Sequence, residues 1–182
     1  MIDLQSLKDF FPIEGKLVKL DIFSEKNITD AYLGWLNDPA VVRFSNQRFR
    51  RHTRQTALDY LQSFKGTENL FLAVYLKNGN KYIGTMNVYF SAAHETADMG
   101  IMIGDKSCWG AGTGSDAWLT VLSFLLDTVK VRKVTGGTLG CNAGMVKIMA
   151  KAGMKPDGVR MAQELMDSQP QDILHFAKFR DA

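Results

Sequence analysis

The chain reads as a single mixed α/β (α+β) domain over residues 1–182, with a central sheet flanked by helices. Three observations carry that expectation. A length of 182 residues, 46% of them apolar and 23% charged, suits one globular core. Apolar segments with a period of two alternate with segments of helical period, which calls for mixed layers rather than all-α or all-β packing. No repeat, low-complexity tract or linker interrupts the order, which reads β-α-α-β-β-β-α-β-α-β-β.

Lys16–Phe23 alternates as a first strand. Asn27–Asn37 follows as a helix with Ala31, Leu33, Trp35 and Leu36 for burial, and Asp38-Pro39 stops it. Thr53 is positioned to cap a second helix, whose Ala57, Leu58, Leu61 and Phe64 recur at helical spacing. Leu70–Leu76 and Tyr82–Phe90 flank Asn78-Gly79, a strong hairpin signal, and Ala97–Ile103 is a third strand of that group. Trp118, Val121, Leu122, Leu125, Leu126 and Val129 define the clearest amphipathic helix. Val131–Thr138 is a strand ended by Gly140. Asn142 then caps a short helix carrying Met145, Ile148 and Met149, and Gly153 closes it. Gly158–Met166 and Asp172–Phe179 complete the set as strands, with Ser168-Gln169-Pro170 between them.

Bulk properties exclude several classes. A net charge of +3 is too small to argue for DNA binding. No apolar run approaches the ~20 residues that span a bilayer, so no membrane association is expected. The opening Met1-Ile2-Asp3-Leu4 lacks the pattern of a signal peptide. Cys108 and Cys141 stand far apart with no metal-ligand spacing, so no metal is expected and a reducing cytoplasm is the natural setting.

The segment with most chemical content is the apolar strand Met99–Gly104 running into Cys108-Trp109-Gly110-Ala111-Gly112-Thr113-Gly114-Ser115 and then a long helix. Closely spaced glycines let backbone approach a ligand, and unpaired amides at a helix N-terminus attract phosphate without any cationic side chain. Two phosphate-binding motifs fail on residues. The spacing Gly110, Gly112, Ser115 breaks G-x-G-x-x-G, and the next strand holds Thr135, Gly136 and Gly137 where a ribose-binding acid belongs. No lysine follows Gly112 or Gly114, as a P-loop requires.

The loop Trp109-Gly110-Ala111-Gly112-Thr113-Gly114 instead resembles the acetyl-CoA loop of the GNAT acetyltransferase superfamily, Gln/Arg-x-x-Gly-x-Gly/Ala, with Trp109 in the first position. Four further features resemble its branch of ribosomal-protein N-terminal and small-amine acetyltransferases. They are Trp35-Leu36-Asn37-Asp38-Pro39 with Val41, the strand Ala97-Asp98-Met99-Gly100, Asn142 opening the later helix, and Lys151-Ala152-Gly153-Met154 closing it. Two positions depart from the family. Met145 stands where serine is frequent, and Met145, Ile148 and Met149 occupy the helix face that often carries a tyrosine acid.

The resemblance implies acetyl-CoA as co-substrate and a small-molecule amine as partner, with a homodimer allowed. It implies a diphosphate on the amides of Gly110, Ala111, Gly112, Thr113, Gly114 and Ser115. Trp109 belongs to the same loop. The pantetheine arm would run along Met102 and Ile103, in a gap between two splayed strands, with Asn142 near its sulfur end. An amine must lose a proton to attack a thioester, and Asp98 or His94 is the candidate acceptor of that proton. Strand alternation puts Asp98 on one face with Gly100 and Met102.

The most unusual composition lies in Arg43–Arg54, with five arginines, one histidine and no acid. In the family this connection lines the acceptor pocket, so Arg48, Arg50, Arg51, His52 and the nearby Asn37 are candidate acceptor-binding residues. Guanidinium forks suit phosphate or carboxylate, which points to an anionic amine such as a nucleotide-linked amino sugar. A protein N-terminus beside ribosomal RNA and a non-catalytic acyl-CoA-binding module are the alternatives, and a solvated basic loop is the plain reading of the arginines.

Overall fold

A computed structural model describes residues 4–181. Its strands are β1 (Ile13–Glu14), β2 (Val18–Ile22), β3 (Leu70–Leu76), β4 (Tyr82–Ser91), β5 (Thr96–Ile103), β6 (Lys133–Leu139), β7 (Lys155–Met166) and β8 (Gln169–Phe179). Its helices are α1 (Asp30–Leu36), α2 (Arg54–Gln62), α3 (Thr113–Ser123) and α4 (Ala143–Lys151). The strands form one sheet in the order β1-β2-β3-β4-β5-β6-β8-β7. Every pairing is antiparallel except β5 with β6. The expected α/β architecture is present, with the two-residue β1 as an addition.

Two apolar cores cover the two faces of the sheet. Trp118, Val121, Leu122, Leu125, Leu126 and Val129, the predicted stripe of the long helix, are all buried with Val134, Met149 and the β2–β5 side chains of one face. After Ser123 that helix widens into a π-helical turn, Phe124–Thr128, which keeps the last apolar positions turned inward. On the other face Tyr32, Leu36, Ala57 and Phe64 from the α1–α2 side pack on Phe23, Phe71 and Ala73.

The capping predictions coincide with the observed ends. Thr53 accepts the amide of Thr56 at the start of α2, Asn142 accepts that of Met145 at the start of α4, and Gly153 has a left-handed φ of 75°. Several boundaries differ: β2 is shorter than the expected Lys16–Phe23, β6 is shifted from the expected Val131–Thr138, and β7 starts at Lys155 rather than Gly158. Two further differences have a visible cause. Helix α1 starts at Asp30 rather than Asn27, because the Asn27 side chain accepts from Ser24 N and donates to the Tyr75 hydroxyl, holding 25–27 as a separate 3-10 turn. Gln169 and Pro170 lie in β8 rather than in a loop. Asp167 and Ser168, both at positive φ, make the tight turn and let Met166 pair with Gln169.

One long-range clamp fixes α3 against the sheet. The Asp116 carboxylate accepts three main-chain amides, from Lys16 (3.1 Å), Leu17 (2.7 Å) and Val18 (3.0 Å). A Cβ at Gly15 would collide with Asp116 and Thr120, so the chain approaches the helix there only as glycine.

Candidate active site

The site begins where β5 and β6 part. They pair only at Thr96–Lys133, Ala97–Val134 and Asp98–Thr135, while β5 stays paired with β4 up to Ile103. From Met99 onward one edge of β5 therefore faces open space, a backbone edge able to pair with an extended ligand. The buried Trp118 indole lies at this fork. It packs so closely on Gly136 that a Cβ there would clash, and its Nε1 donates to the Met154 sulfur.

At the open end of β5 the glycine loop turns the chain into α3. Gly110 and Gly112 have φ of 75° and 85°, in the left-handed region where side chains are strained, and Gly112 is the N-cap of α3. A Cβ on Gly110 would meet nothing, and one on Gly112 only Leu17, so this bend is open to solvent. Ala111 is exposed and Ser115 half-buried; Thr113 is buried, with its hydroxyl donating to Cys108 O. Gly114 sits against Ile103 and Ile148 at van der Waals distance. The Trp109 indole donates to Ile103 O (2.8 Å), strapping the loop to the end of β5. The first-turn amides of α3 have no intrahelical acceptor, so they and the helix dipole suit a diphosphate.

A cavity of about 550 Å³ runs from this fork across the α1–α2 face of the sheet. Met102, Ile103, Asn142, Arg50, Arg51 and His52, six of the expected residues, line it. Asn142 also bridges elements, since its amide donates to Thr138 Oγ1 while its oxygen caps α4. Among the described residues, no carboxylate lines the cavity.

The arginine segment divides into two groups. Arg43 faces Asp167, Arg54 donates to Ile28 O, and Arg48 reaches Glu164 (3.3 Å) and Leu165 O (3.2 Å) on the β7–β8 hairpin. Arg50 and Arg51 extend no side-chain hydrogen bond or ion pair to any described residue, and both line the cavity. Arg48 thus staples the cavity rim to the hairpin. Asn37 is a second clamp: its amide nitrogen donates to Leu33 O and His52 O, and its oxygen accepts His52 N. It is absent from the cavity wall.

The two candidate proton acceptors are placed differently. Asp98 lies on the α1–α2 face with Gly100 and Met102, as alternation requires, but one step short of the cavity wall, which β5 enters at Met99. Although the residue is exposed at the sheet surface, desolvation by its neighbours raises its carboxyl from the usual carboxylate value, opposed by the Thr135 hydroxyl (2.6 Å) and by nearby His175. His94 sits before β5 at the closed end of the fork, and Thr96 to Met99 alone spans about 10 Å of strand. It is away from the cavity because the turn 92–94 caps the paired end of β5.

Sequence reasoning passed over Tyr60, Asn87 and Tyr89, which hydrogen-bond to one another on the same face, and His175, whose ring covers Gly137. No local periodicity marks them, because each meets the site through strand pairing or helix packing.

Comparison with known proteins agrees with this geometry. The family model described as "Acetyltransferase (GNAT) domain" matches residues 20–155. The chain belongs to the GNAT acetyltransferase family. A probable N-acetyltransferase, YjcK of Bacillus subtilis (strain 168), is 22% identical over 108 residues, 58% of this chain. The chain spans only 59% of that relative's length. Among solved structures, RimL, a ribosomal L7/L12 alpha-N-protein acetyltransferase in complex with coenzyme A, superposes with a TM-score of 0.79 at 13% identity, covering 94% of this chain and 98% of that one. The microcin C7 self-immunity acetyltransferase MccE, in complex with acetyl-CoA and AMP, gives 0.77 at 14% identity over 90% and 93%. Among the described residues no helix is long and apolar enough to cross a membrane, and no side-chain cluster has the makings of a metal site.

Proposed function

We propose that this protein is an acetyl-CoA-dependent N-acetyltransferase whose acceptor is a small anionic primary amine, of the class of nucleotide-linked amino sugars. The observation that carries the acceptor class is the cavity wall, where, among the described residues, two unpaired guanidinium groups and His52 face no carboxylate. A polycationic amine would meet repulsion there, whereas phosphate or carboxylate finds matched donors.

The amides of Gly110–Ser115 hold the diphosphate, and the β5 edge at Met102 and Ile103, open except where Trp109 holds the Ile103 carbonyl, receives the pantetheine arm with Asn142 opposite. Acetyl-CoA supplies an activated thioester. The amine nitrogen forms a C–N bond as the C–S bond breaks, and a main-chain N–H of β5 supports the oxyanion. A proton leaves the nitrogen by way of water and ends on the thiol. Asp98, one residue short of the cavity wall, is the carboxylate we assign to relay that proton through water, and Met145 leaves α4 without a side-chain acid. His94 takes no part.

The test is thiol release from acetyl-CoA with nucleotide-linked amino sugars, phosphorylated amino sugars and N-terminal peptides as acceptors. Turnover with the anionic sugars is expected. Turnover with peptides alone would replace the acceptor class, and calorimetric silence toward coenzyme A would remove the enzyme reading.

A further inference from the structure

Asn87 on β4 pairs with Gly100 on β5, and both line the cavity. Its amide nitrogen donates to two tyrosine hydroxyls, Tyr60 (3.2 Å) and Tyr89 (3.2 Å), which are bonded to each other at 2.8 Å. This orientation satisfies three hydrogen bonds. The reversed amide would make only two, because one hydroxyl proton is already shared between the tyrosines. The amide oxygen is thereby turned over Gly100, where a Cβ would collide with it, and no described residue donates to it. A fixed, unpaired acceptor thus overhangs the middle of the β5 edge along which the acyl arm runs.

We propose that Asn87 Oδ1 accepts an N–H of the incoming amine and aims the nitrogen lone pair at the acyl carbon held along β5. This role rests on the acetyl-transfer reading. An amide oxygen suits the task better than a carboxylate, because it orients a neutral amine without stabilising the unreactive ammonium. The hydrogen it receives stays on nitrogen during attack. The other amine proton leaves through water, so Asn87 positions the nucleophile and takes no proton.

The experiment compares wild type with Asn87→Leu, Asn87→Asp and Tyr60→Phe. The amine is whichever of a uridine-diphosphate-linked amino sugar, glucosamine 6-phosphate or an N-terminal peptide wild type acetylates fastest. Acetyl-CoA affinity by calorimetry controls for folding. Asn87→Leu should lower kcat roughly 100-fold, the scale of a misplaced nucleophile, with acetyl-CoA affinity within about twofold. Asn87→Asp keeps an oxygen but adds charge, so its kcat profile should move about one pH unit upward as the bound ammonium is stabilised. Tyr60→Phe should lose several-fold in kcat, and combined with Asn87→Leu should add nothing further. Asn87→Leu with wild-type kcat, or Asn87→Asp with an unmoved pH profile, overturns the role while acetyl transfer stands. A wild type that acetylates none of the three amines removes the parent reading and this one with it.

Discussion

Replacing Asp116 with alanine tests how the start of α3 is anchored to the sheet. Its carboxylate accepts the amides of Lys16, Leu17 and Val18, and of these three residues only Val18 is fully buried. An amide left unpaired there forfeits a hydrogen bond to a charged acceptor, worth about 2 kcal/mol. The two exposed amides regain water and lose roughly 0.5 kcal/mol each, and the missing first-turn anion removes about 0.5 kcal/mol of dipole stabilisation. The sum is about 3.5 kcal/mol, or a fall in Tm of roughly 7–14 °C for a domain this size. Thermal unfolding by circular dichroism at pH 7 reads it, with the exposed Asp127→Ala as control. Because Asp116 stands in the first turn of α3, acetyl-CoA affinity should fall as well, by calorimetry. A Tm within about 2 °C of wild type would refute the clamp.

Three further outcomes are expected. Gly112→Val forces a branched side chain to a φ of 85°, at a cost of about 1–2 kcal/mol, and should abolish measurable coenzyme A binding while leaving a folded chain. Arg50→Glu and Arg51→Glu should raise KM for an anionic acceptor at least tenfold with KM for acetyl-CoA unchanged, whereas Arg48→Ala should chiefly lower Tm, since Arg48 is bound to the hairpin. Asp98 holds its proton to higher pH in the folded chain than in the unfolded one, so stability declines as pH rises from the usual value of 3.8 through the raised folded value. Asp98→Asn should therefore raise Tm at pH 7, by a margin that closes below about pH 4, while lowering kcat.

Local signals fixed what local physics controls. Thr53, Asn142 and Gly153 mark helix ends by their own hydrogen bonds and φ, and Leu70–Leu76 matches β3 at both ends. The glycine loop was legible for the same reason, since its conformation and its amides belong to one short segment. Nothing local distinguishes Arg48 from Arg50. Their separate fates are decided by Glu164, 116 residues away from Arg48. Asn87 gives no local signal, because it faces the cavity only through a register with β5. Asn37 stands out in the sequence as an acceptor-binding candidate, but its closure on His52 across a turn cannot be read from its neighbours. The β1 strand exists only through its pairing with Leu20 and Lys19.

The rim of the cavity is stitched to the distant β7–β8 hairpin, whereas the glycine bend is built from one continuous stretch ending at α3. Substitutions in the arginine segment that alter the cavity rim are therefore expected to need matching changes at the hairpin tip, where Glu164 meets Asn46 and Arg48. The rim can thus be remodelled without disturbing the glycine bend, which depends on neither the arginine segment nor the hairpin.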